Sequence, residues 1–568
     1  MRPVWIFPEP LPADLPRFHQ DELLHAILAR RLEDPALVDD FLDQRPRESP
    51  DPHCLPGMTE AVERIIAAVR GKEPIGIFGD YDTDGVTSAA LLTQALRAAS
   101  GGMQPAAVRL PSRAEGYGLS VAGVDDLAAA GARLLIAVDC GSKDHVAVAR
   151  ALEHGMDVVI IDHHRIIDEP PTGAIIASAQ LAPSSPYQPL SAAGLSYLLA
   201  TALARAGLET GAGGGKEPFA LLDLAMIGLV GDVSPLTGLN RTLVRDGLRQ
   251  LRAQPRPGLR ELGDAGGIDL STISSTGVAF QLSPRLNAPG RLGDPRPAYD
   301  LLTTTNRAEA RRLAAVTEQA NAQRRALQTR ILREIEELLL REPYRLEQRV
   351  LVFTGENWES GIVGLAASKL AEQFSRPVIV LTLDDGVAHG SARSVPGFDI
   401  TAALARCGEL LIRHGGHERA AGLALSTRRV ADLDAALQEA IAASGAPLPG
   451  PPRLEIDANL EPERLTVETA QLIQALGPFG EGNPVPLLHV PAAPLRGYTT
   501  MGRERQHLKL HVGSGGAGTT AILWNGAARS RELVGGRTVD IVGRLEMNTY
   551  QGVTRPQFRI VDFRVSGD

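Results

Sequence analysis

Between residues 74 and about 235, short runs rich in valine and isoleucine (PIGIFGDYD, RLLIAVDCG, DVVIIDHH, AMIGLVGDV) alternate with helical stretches such as TSAALLTQALRAAS and GVDDLAAAGA. This alternation predicts βαβ units and a parallel sheet, an α/β architecture. Each run also ends in side chains able to bind metal. The strand expected over 74–79 leads to Asp80, Asp82 and Asp84, that over 134–138 to Asp139, that over 157–161 to Asp162, His163 and His164, and that over 227–230 to Asp232. In an open parallel sheet the carboxyl ends of the strands share one edge, and ligands bind in the crevice outside them. Carboxylates crowded there repel one another unless a cation compensates them. Taken singly, any of these aspartates reads more readily as a helix or turn cap. Their recurrence at every strand end argues for a site. Many carboxylates with one or two imidazoles suit a pair of Mn²⁺ or Mg²⁺ ions better than zinc, and the nitrogen ligand favours Mn²⁺. Two such ions serve in-line phosphoryl displacement, so phosphodiester or phosphoanhydride hydrolysis is the expected chemistry.

The rest of the 568 residues divides around this segment. Residues 1 to about 70 read as a helical entry (HQDELLHAILARRL, PALVDDFL, MTEAVERIIAAVRG), grouped here with the first lobe as residues 1–305. Residues 306–341 contain no glycine or proline and predict a connecting helix. A second α/β lobe is expected over 342–447, with RVLVFTG and PVIVLTL as buried strands. After the turn-rich PLPGPPR, residues 452–568 show short strands separated by glycines, the pattern of a small β-barrel such as an OB-fold.

Three cysteines without a CxxC spacing exclude a disulfide framework and a zinc ribbon. No run approaches the roughly 18 to 20 apolar residues of a membrane span, and the N-terminal apolar stretch is short for a signal peptide. A cytoplasmic protein with no membrane partner is the expectation. GAGGGKE at 211–217 lacks the Ser or Thr and the preceding strand of a P-loop, so nucleotide hydrolysis is not expected. The formal net charge of −9 speaks against a polyanionic partner until the acids around the proposed site are set apart. The local field matters more to a polyanion than the whole-chain sum.

GDYDTDG, AVDCGS, IIDHH and GLVGDVSPL resemble motifs one to four of the DHH phosphoesterase superfamily. PSRAEGYGL, QLSPRLNAPGRL, WESGIVGLAASKL, GSARSVPGFDI, GGHERAAGL and LGPFGEGNPVP then resemble, in order and spacing, the RecJ family of single-strand-specific exonucleases, from about residue 50 onward. The resemblance implies a DHH domain, a connecting helix, a DHHA1 domain and an OB-fold. It implies Asp82, Asp84, Asp139, His163 and Asp232 as ligands of two metals, Asp139 bridging, with Asp80, Asp162 and His164 around the reacting phosphate. It further implies a 5′→3′ exonuclease on single-stranded DNA, monomeric, serving recombination and repair alongside a single-strand-binding protein and a helicase. One departure is Glu359 after Trp358, where the family often has histidine.

For substrate binding, Arg109, Arg113 and Arg285 of the first lobe are candidates for the 5′-terminal phosphate, Arg109 reading as well as a solvated surface residue. Ser391 and Arg393 of GSARS, and Gly416 and His417 of GGH, are candidates for backbone phosphates on the second lobe. Trp524, Tyr550 and Phe558 are candidates for base stacking on the barrel, with barrel core as the alternative. Two other functions compete: a phosphoesterase of nucleotide phosphates or very short oligonucleotides, and a non-catalytic DNA-binding scaffold. The barrel tail disfavours the first and the intact ligand motifs disfavour the second.

Overall fold

The computed structural model describes residues 2–43, 45, 49–102, 105–166, 168–210, 217–443, 450–513, 519–533, 537–550 and 553–566, the side chains of 549 and 550 excepted. The loop 211–216, read above as no P-loop, lies outside the described residues. The chain forms two compact units, Arg47–Gly450 and, separately, Met1–Pro46 with Pro451–Asp568. Among the described residues no helix is long and apolar enough to cross a membrane.

After a short N-terminal strand, β1 (Val4–Ile6), the larger unit opens with a five-stranded parallel sheet. Its strands are β2 (Ile75–Gly79), β3 (Ala107–Arg109), β4 (Leu134–Val138), β5 (Asp157–Ile161) and β6 (Ala174–Ala177), in the order β3-β2-β4-β5-β6. β2 and β4 are buried at every position, as central parallel strands covered on both faces must be. Alternate residues feed two cores. Ile77, Ile136 and Val159 pack with helices Met58–Gly71, Thr83–Ala99 and Ala192–Arg205, while Phe78, Leu135 and Ile160 pack with Val121–Ala129 and His145–Glu153.

The run expected as a strand over 227–230 is instead helix Leu222–Gly231, buried from Leu222 to Val230. A continuous apolar run satisfies a buried helix and a buried strand equally, and this helix is wrapped by the helices Thr83–Ala99, Ala192–Arg205 and Gly238–Ala253. Asp232 therefore arrives at a helix C-terminus, still beside the sheet edge. Gly228 permits the approach, since a Cβ there would lie 2.3 Å from the Ala193 side chain and 2.7 Å from Asp84 Oδ1.

Helix Arg307–Arg341 starts at Asn306, whose side chain accepts from the amides of Ala308 and Glu309. Its buried Leu313 and Ala314 join the first-lobe core, and Ile331, Ile335 and Leu339 join a second-lobe core, so each end is packed against a different lobe. The second lobe is the sheet β10-β11-β9-β8-β7, built from β7 (Leu351–Glu356), β8 (Val378–Asp384), β9 (Val387–Arg393), β10 (Leu411–His417) and β11 (Ala420–Ser426). Only β7 and β8 pair in parallel.

In the smaller unit, strands β12 (Arg453–Glu455) and β13 (Ala458–Asn459) precede a closed barrel of β14 (Leu488–Met501), β15 (His507–Val512), β16 (Thr519–Leu523), β17 (Thr538–Tyr550) and β18 (Val553–Val565). Pairing of β14 with β17 closes it. Residues 1–46, grouped from sequence with the first lobe, belong here. β1 pairs in parallel with β12, and Leu24, Ile27 and Leu28 of helix Glu22–Arg31 pack in one core with Leu488, Val490 and Leu510 of the barrel. An amphipathic stripe reveals that a helix is covered, but not by which core.

Candidate metal centre and interlobe groove

The acid cluster is assembled by backbone turns at the carboxyl edge of the first sheet. Asp82 caps helix Thr83–Ala99, its Oδ1 accepting from the amides of Asp84 (2.9 Å) and Gly85 (3.1 Å). A side chain at Gly85 would strike the backbone of Asp80 at 2.5 Å, so glycine lets the helix fold back on that loop. Asn287 holds the loop from outside, accepting from the Thr83 amide (2.9 Å). Buried Asp84 sits at the start of helix Ala192–Arg205, accepting from Ser191 Oγ (2.8 Å) and the amides of Ala192 (2.8 Å) and Ala193 (3.0 Å). Asp139 follows β4 in the left-handed region, at φ +62°. Asp162 follows β5 and accepts from Ser142 N (3.2 Å) and His164 Nδ1 (2.8 Å). Asp232 accepts from Ser234 Oγ (2.8 Å).

These side chains converge. His163 Nε2 lies 3.3 Å from Asp139 Oδ1 and 3.9 Å from both Asp84 Oδ2 and Asp232 Oδ1, and makes no hydrogen bond. Three donor sets with ligand atoms within 4.8 Å of one another result: Asp80, Asp82 and Asp139; Asp84, His163 and Asp232; and Asp139, His163 and His164. Burial and then mutual repulsion push Asp80, Asp84 and Asp139 well above the usual carboxylate range, and burial also raises Asp232. Asp162 behaves oppositely. Burial alone would raise it, but hydrogen bonding to His164 holds it down at about 2. Burial pulls His163 down; it acts the same way on His164, whose bond to Asp162 nonetheless raises it overall. Asp80 Oδ1 is buried without a partner, as is His163 Nε2. Orphaned carboxylate and imidazole atoms pointing into a repelling acid cluster fit hard divalent cations.

Beside the acids, a groove of about 830 Å³ runs between the lobes, lined by Tyr81, Arg113 and Tyr117 on one side and by Trp358, His389 and Arg413 among others on the facing lobe. Two further arginines, Arg291 and Arg393, cluster around its lining residue Arg113. Arg113 stacks over the Tyr81 ring at 4.3 Å with its Nε unpartnered. Arg393 on β9 donates to Ser368 Oγ (3.1 Å) and the Ala392 carbonyl (2.9 Å). Arg291, in helix Ser283–Leu292, donates to the Gly361 carbonyl (3.2 Å). Burial, then the neighbouring Arg113, pulls Arg291 down to about 10, with Arg324 and Arg393 adding to the repulsion. Such a cluster calls for an anion.

The other sequence candidates fall differently. Arg109 is consumed by Glu115 (2.6 Å) and Asp126 (3.0 Å). Arg285 is buried against Glu318 (2.5 Å) and the Gln281 carbonyl (2.7 Å), clamping its helix to the connecting helix and leaving no free face for a phosphate. Arg291, in the same helix, forms no ion pair among the described residues. Six residues apart in one helix, the two arginines point to different sides, a signal present in RLNAPGR but unread. Ser391 stands beside helix Ser360–Phe374, since a Cβ on Gly364 would lie 3.1 Å from its Oγ. Gly416 and His417 end the exposed edge strand β10, and Gly416 has φ +148°. On the barrel, Trp524 is half exposed and meets His507 edge-on at 4.6 Å. Phe558 is fully buried in the barrel core, and so is corrected from stacking surface to packing residue. The Tyr550 side chain lies outside the described residues. Tyr81 and Tyr117 were also missed, because aromatic residues in loops carry no periodicity.

A parallel-sheet edge dense in carboxylate and imidazole ligands, faced across a cationic groove by a second α/β lobe, defines a metal-dependent hydrolase. Comparison with known proteins narrows this. The DHH family N-terminal domain matches residues 74–229, the DHHA1 domain 347–443 and the RecJ OB domain 456–562. Proteins described as single-stranded-DNA-specific exonuclease RecJ are similar along nearly the whole chain. The Bacillus subtilis protein is 35% identical over 93% of this chain and 66% of its own length. For Thermus thermophilus the figures are 33%, 90% and 71%, and for Escherichia coli 33%, 88% and 88%. The crystal structure of Thermus thermophilus RecJ in complex with Mn²⁺ superposes with a TM-score of 0.80 at 28% identity, covering 99% of this chain and 80% of that one. Its complex with Mg²⁺ gives 0.75 at 27% identity, covering 99% and 78%. The chain belongs to the RecJ family of single-stranded-DNA-specific exonucleases.

Proposed function

We propose that this protein degrades single-stranded DNA from the 5′ end, hydrolysing phosphodiester bonds with two divalent metal ions and releasing 5′-mononucleotides, in recombination and repair. The observation that carries this is the acid cluster with Arg113 and Arg291 beside it on the first lobe and Arg393 on the second, arginines that form no ion pair among the described residues. Asp82, Asp84, Asp139, His163 and Asp232, with Asp80 buried beside them, would hold Mn²⁺ or Mg²⁺. When bound, these ions supply positive charge that activates water and stabilises the phosphoryl transition state. The chain's own groups do the rest. Arg113, Arg291 and Arg393 offer a guanidinium-lined seat for a terminal phosphate, whose two charges would relieve their repulsion. A phosphate seated there sets which linkage lies over the acids, and internal positions lack that anchor. His164, held by Asp162, offers a proton donor at the same edge. Trp524 gives the barrel an exposed ring for stacking.

The test is a time course with Mn²⁺ on single strands labelled at the 5′ or the 3′ end. Immediate release of 5′ label as mononucleotide, with the 3′ label retained in shortening fragments, is expected. Early release of 3′ label, or internal fragments from both, refutes the polarity.

A further inference from the structure

Tyr117 stands on the groove wall beside the acid cluster, half exposed, yet its hydroxyl is committed inward. Tyr117 Oη donates to the backbone carbonyl of Asp139 (3.1 Å) and lies 2.9 Å from His164 Nδ1. Asp162 Oδ1 lies 2.8 Å from that same Nδ1, and the tyrosine and His164 rings pack with centroids 5.1 Å apart. A phenol has one proton. With it given to the Asp139 carbonyl, the oxygen can meet His164 only as an acceptor. Asp162 Oδ1 already accepts from the His164 amide (3.1 Å). Two acceptors on one ring nitrogen place the proton on Nδ1 and fill that edge of the imidazole. Nε2 is left as the edge free to meet a ligand. The Asp139 end of the link matters too. Asp139 occupies a left-handed conformation that few residues other than glycine adopt, with its amide fixed by the Ile161 carbonyl (3.0 Å) and its own carbonyl fixed by Tyr117. One hydroxyl thus ties a residue of the acid cluster to the orientation of His164.

We propose that Tyr117 is a positioning residue: its hydroxyl orients His164 so that Nε2 meets the scissile phosphate, and it acts on turnover through His164, not on capture of the strand. The proposal rests on the nuclease reading given above.

Tyr117→Phe keeps the ring and removes only the hydroxyl. On a 5′-phosphorylated single strand with Mn²⁺, kcat should fall about 10- to 100-fold while KM stays within about twofold, the loss expected when an outer partner of a reacting group is removed. DNA affinity measured by anisotropy in EDTA, and Mn²⁺ binding measured by calorimetry, should match the parent. A merely structural role would move both. In a His164→Gln background, Tyr117→Phe should cost nothing further, because the ring it orients has gone. A variant that turns over like the parent, a loss confined to KM or to DNA affinity, or losses that multiply in the double variant would each overturn the positioning role. Those results leave an active parent and the nuclease reading intact. A parent that leaves the strand uncut overturns both.

Discussion

Arg291 offers the sharpest separation of stability from function in this chain. A guanidinium stays protonated under all ordinary conditions, so burying it among arginines is a penalty the folded protein carries at neutral pH. Its downward displacement to about 10 corresponds to about 3 kcal/mol of disfavoured charge, present throughout the range below that value. Arg291→Met keeps the apolar stem and removes the charge together with one hydrogen bond to the Gly361 carbonyl, a loss of about 1 kcal/mol. The metal-free, DNA-free variant should therefore be more stable than the parent by about 2 kcal/mol, which urea unfolding followed by circular dichroism would register as a higher midpoint. The same change should erase the preference for a 5′-phosphorylated over a 5′-hydroxyl single strand, measured as the ratio of initial rates. A destabilised variant, or one that keeps the phosphate preference, would refute the reading of Arg291 as a strained anion receptor.

Arg285→Ala should behave in the opposite way: breaking its buried pair with Glu318 costs about 3 kcal/mol in urea unfolding while the 5′-phosphate preference is retained, and lost preference at unchanged stability would reverse the two assignments. Adding Mn²⁺ to metal-free protein at 100 times its Kd should stabilise the larger unit by about 2.7 kcal/mol per site, seen in calorimetric scans at matched ionic strength, whereas Asp139→Asn should show no such shift. Trp524→Ala should weaken binding to a long single strand by about 1 to 3 kcal/mol with the barrel intact. Phe558→Ala should cost the barrel about 3 to 5 kcal/mol, visible as early loss of its unfolding transition.

The first sheet was legible because burial on both faces leaves unbroken apolar runs, and β2, β4 and β5 fall where those runs lie. The acid cluster was legible for a related reason: Asp80, Asp139 and Asp162 come directly after such runs, at the edge where a parallel sheet collects its functional groups. Asp232 was placed at that edge through the wrong element, since helix Leu222–Gly231 is apolar except for Asp223 and shows no stripe. Side-chain partners were not legible. Whether Arg109 and Arg285 are free depends on Glu115 and Glu318, and the latter approaches Arg285 only through the packing of one helix on another. Phe558 likewise sits in a strand whose inward face depends on register, and a shift of one residue would have turned it outward.

The pairing of β1 with β12 brings together segments that the ribosome makes far apart in time. Residues 47–450 emerge between the two halves of the smaller unit. At 5 to 20 residues per second, Leu24, Ile27 and Leu28 wait about 23 to 92 seconds before synthesis reaches the first barrel strand that covers them. The last residue of the larger unit precedes the first barrel strand, so the metal-binding body is synthesised while the nascent chain still carries an uncovered sticky helix. Synthesis of this protein is therefore a period of exposure to aggregation and to chaperones, ended only when the final strands leave the exit tunnel.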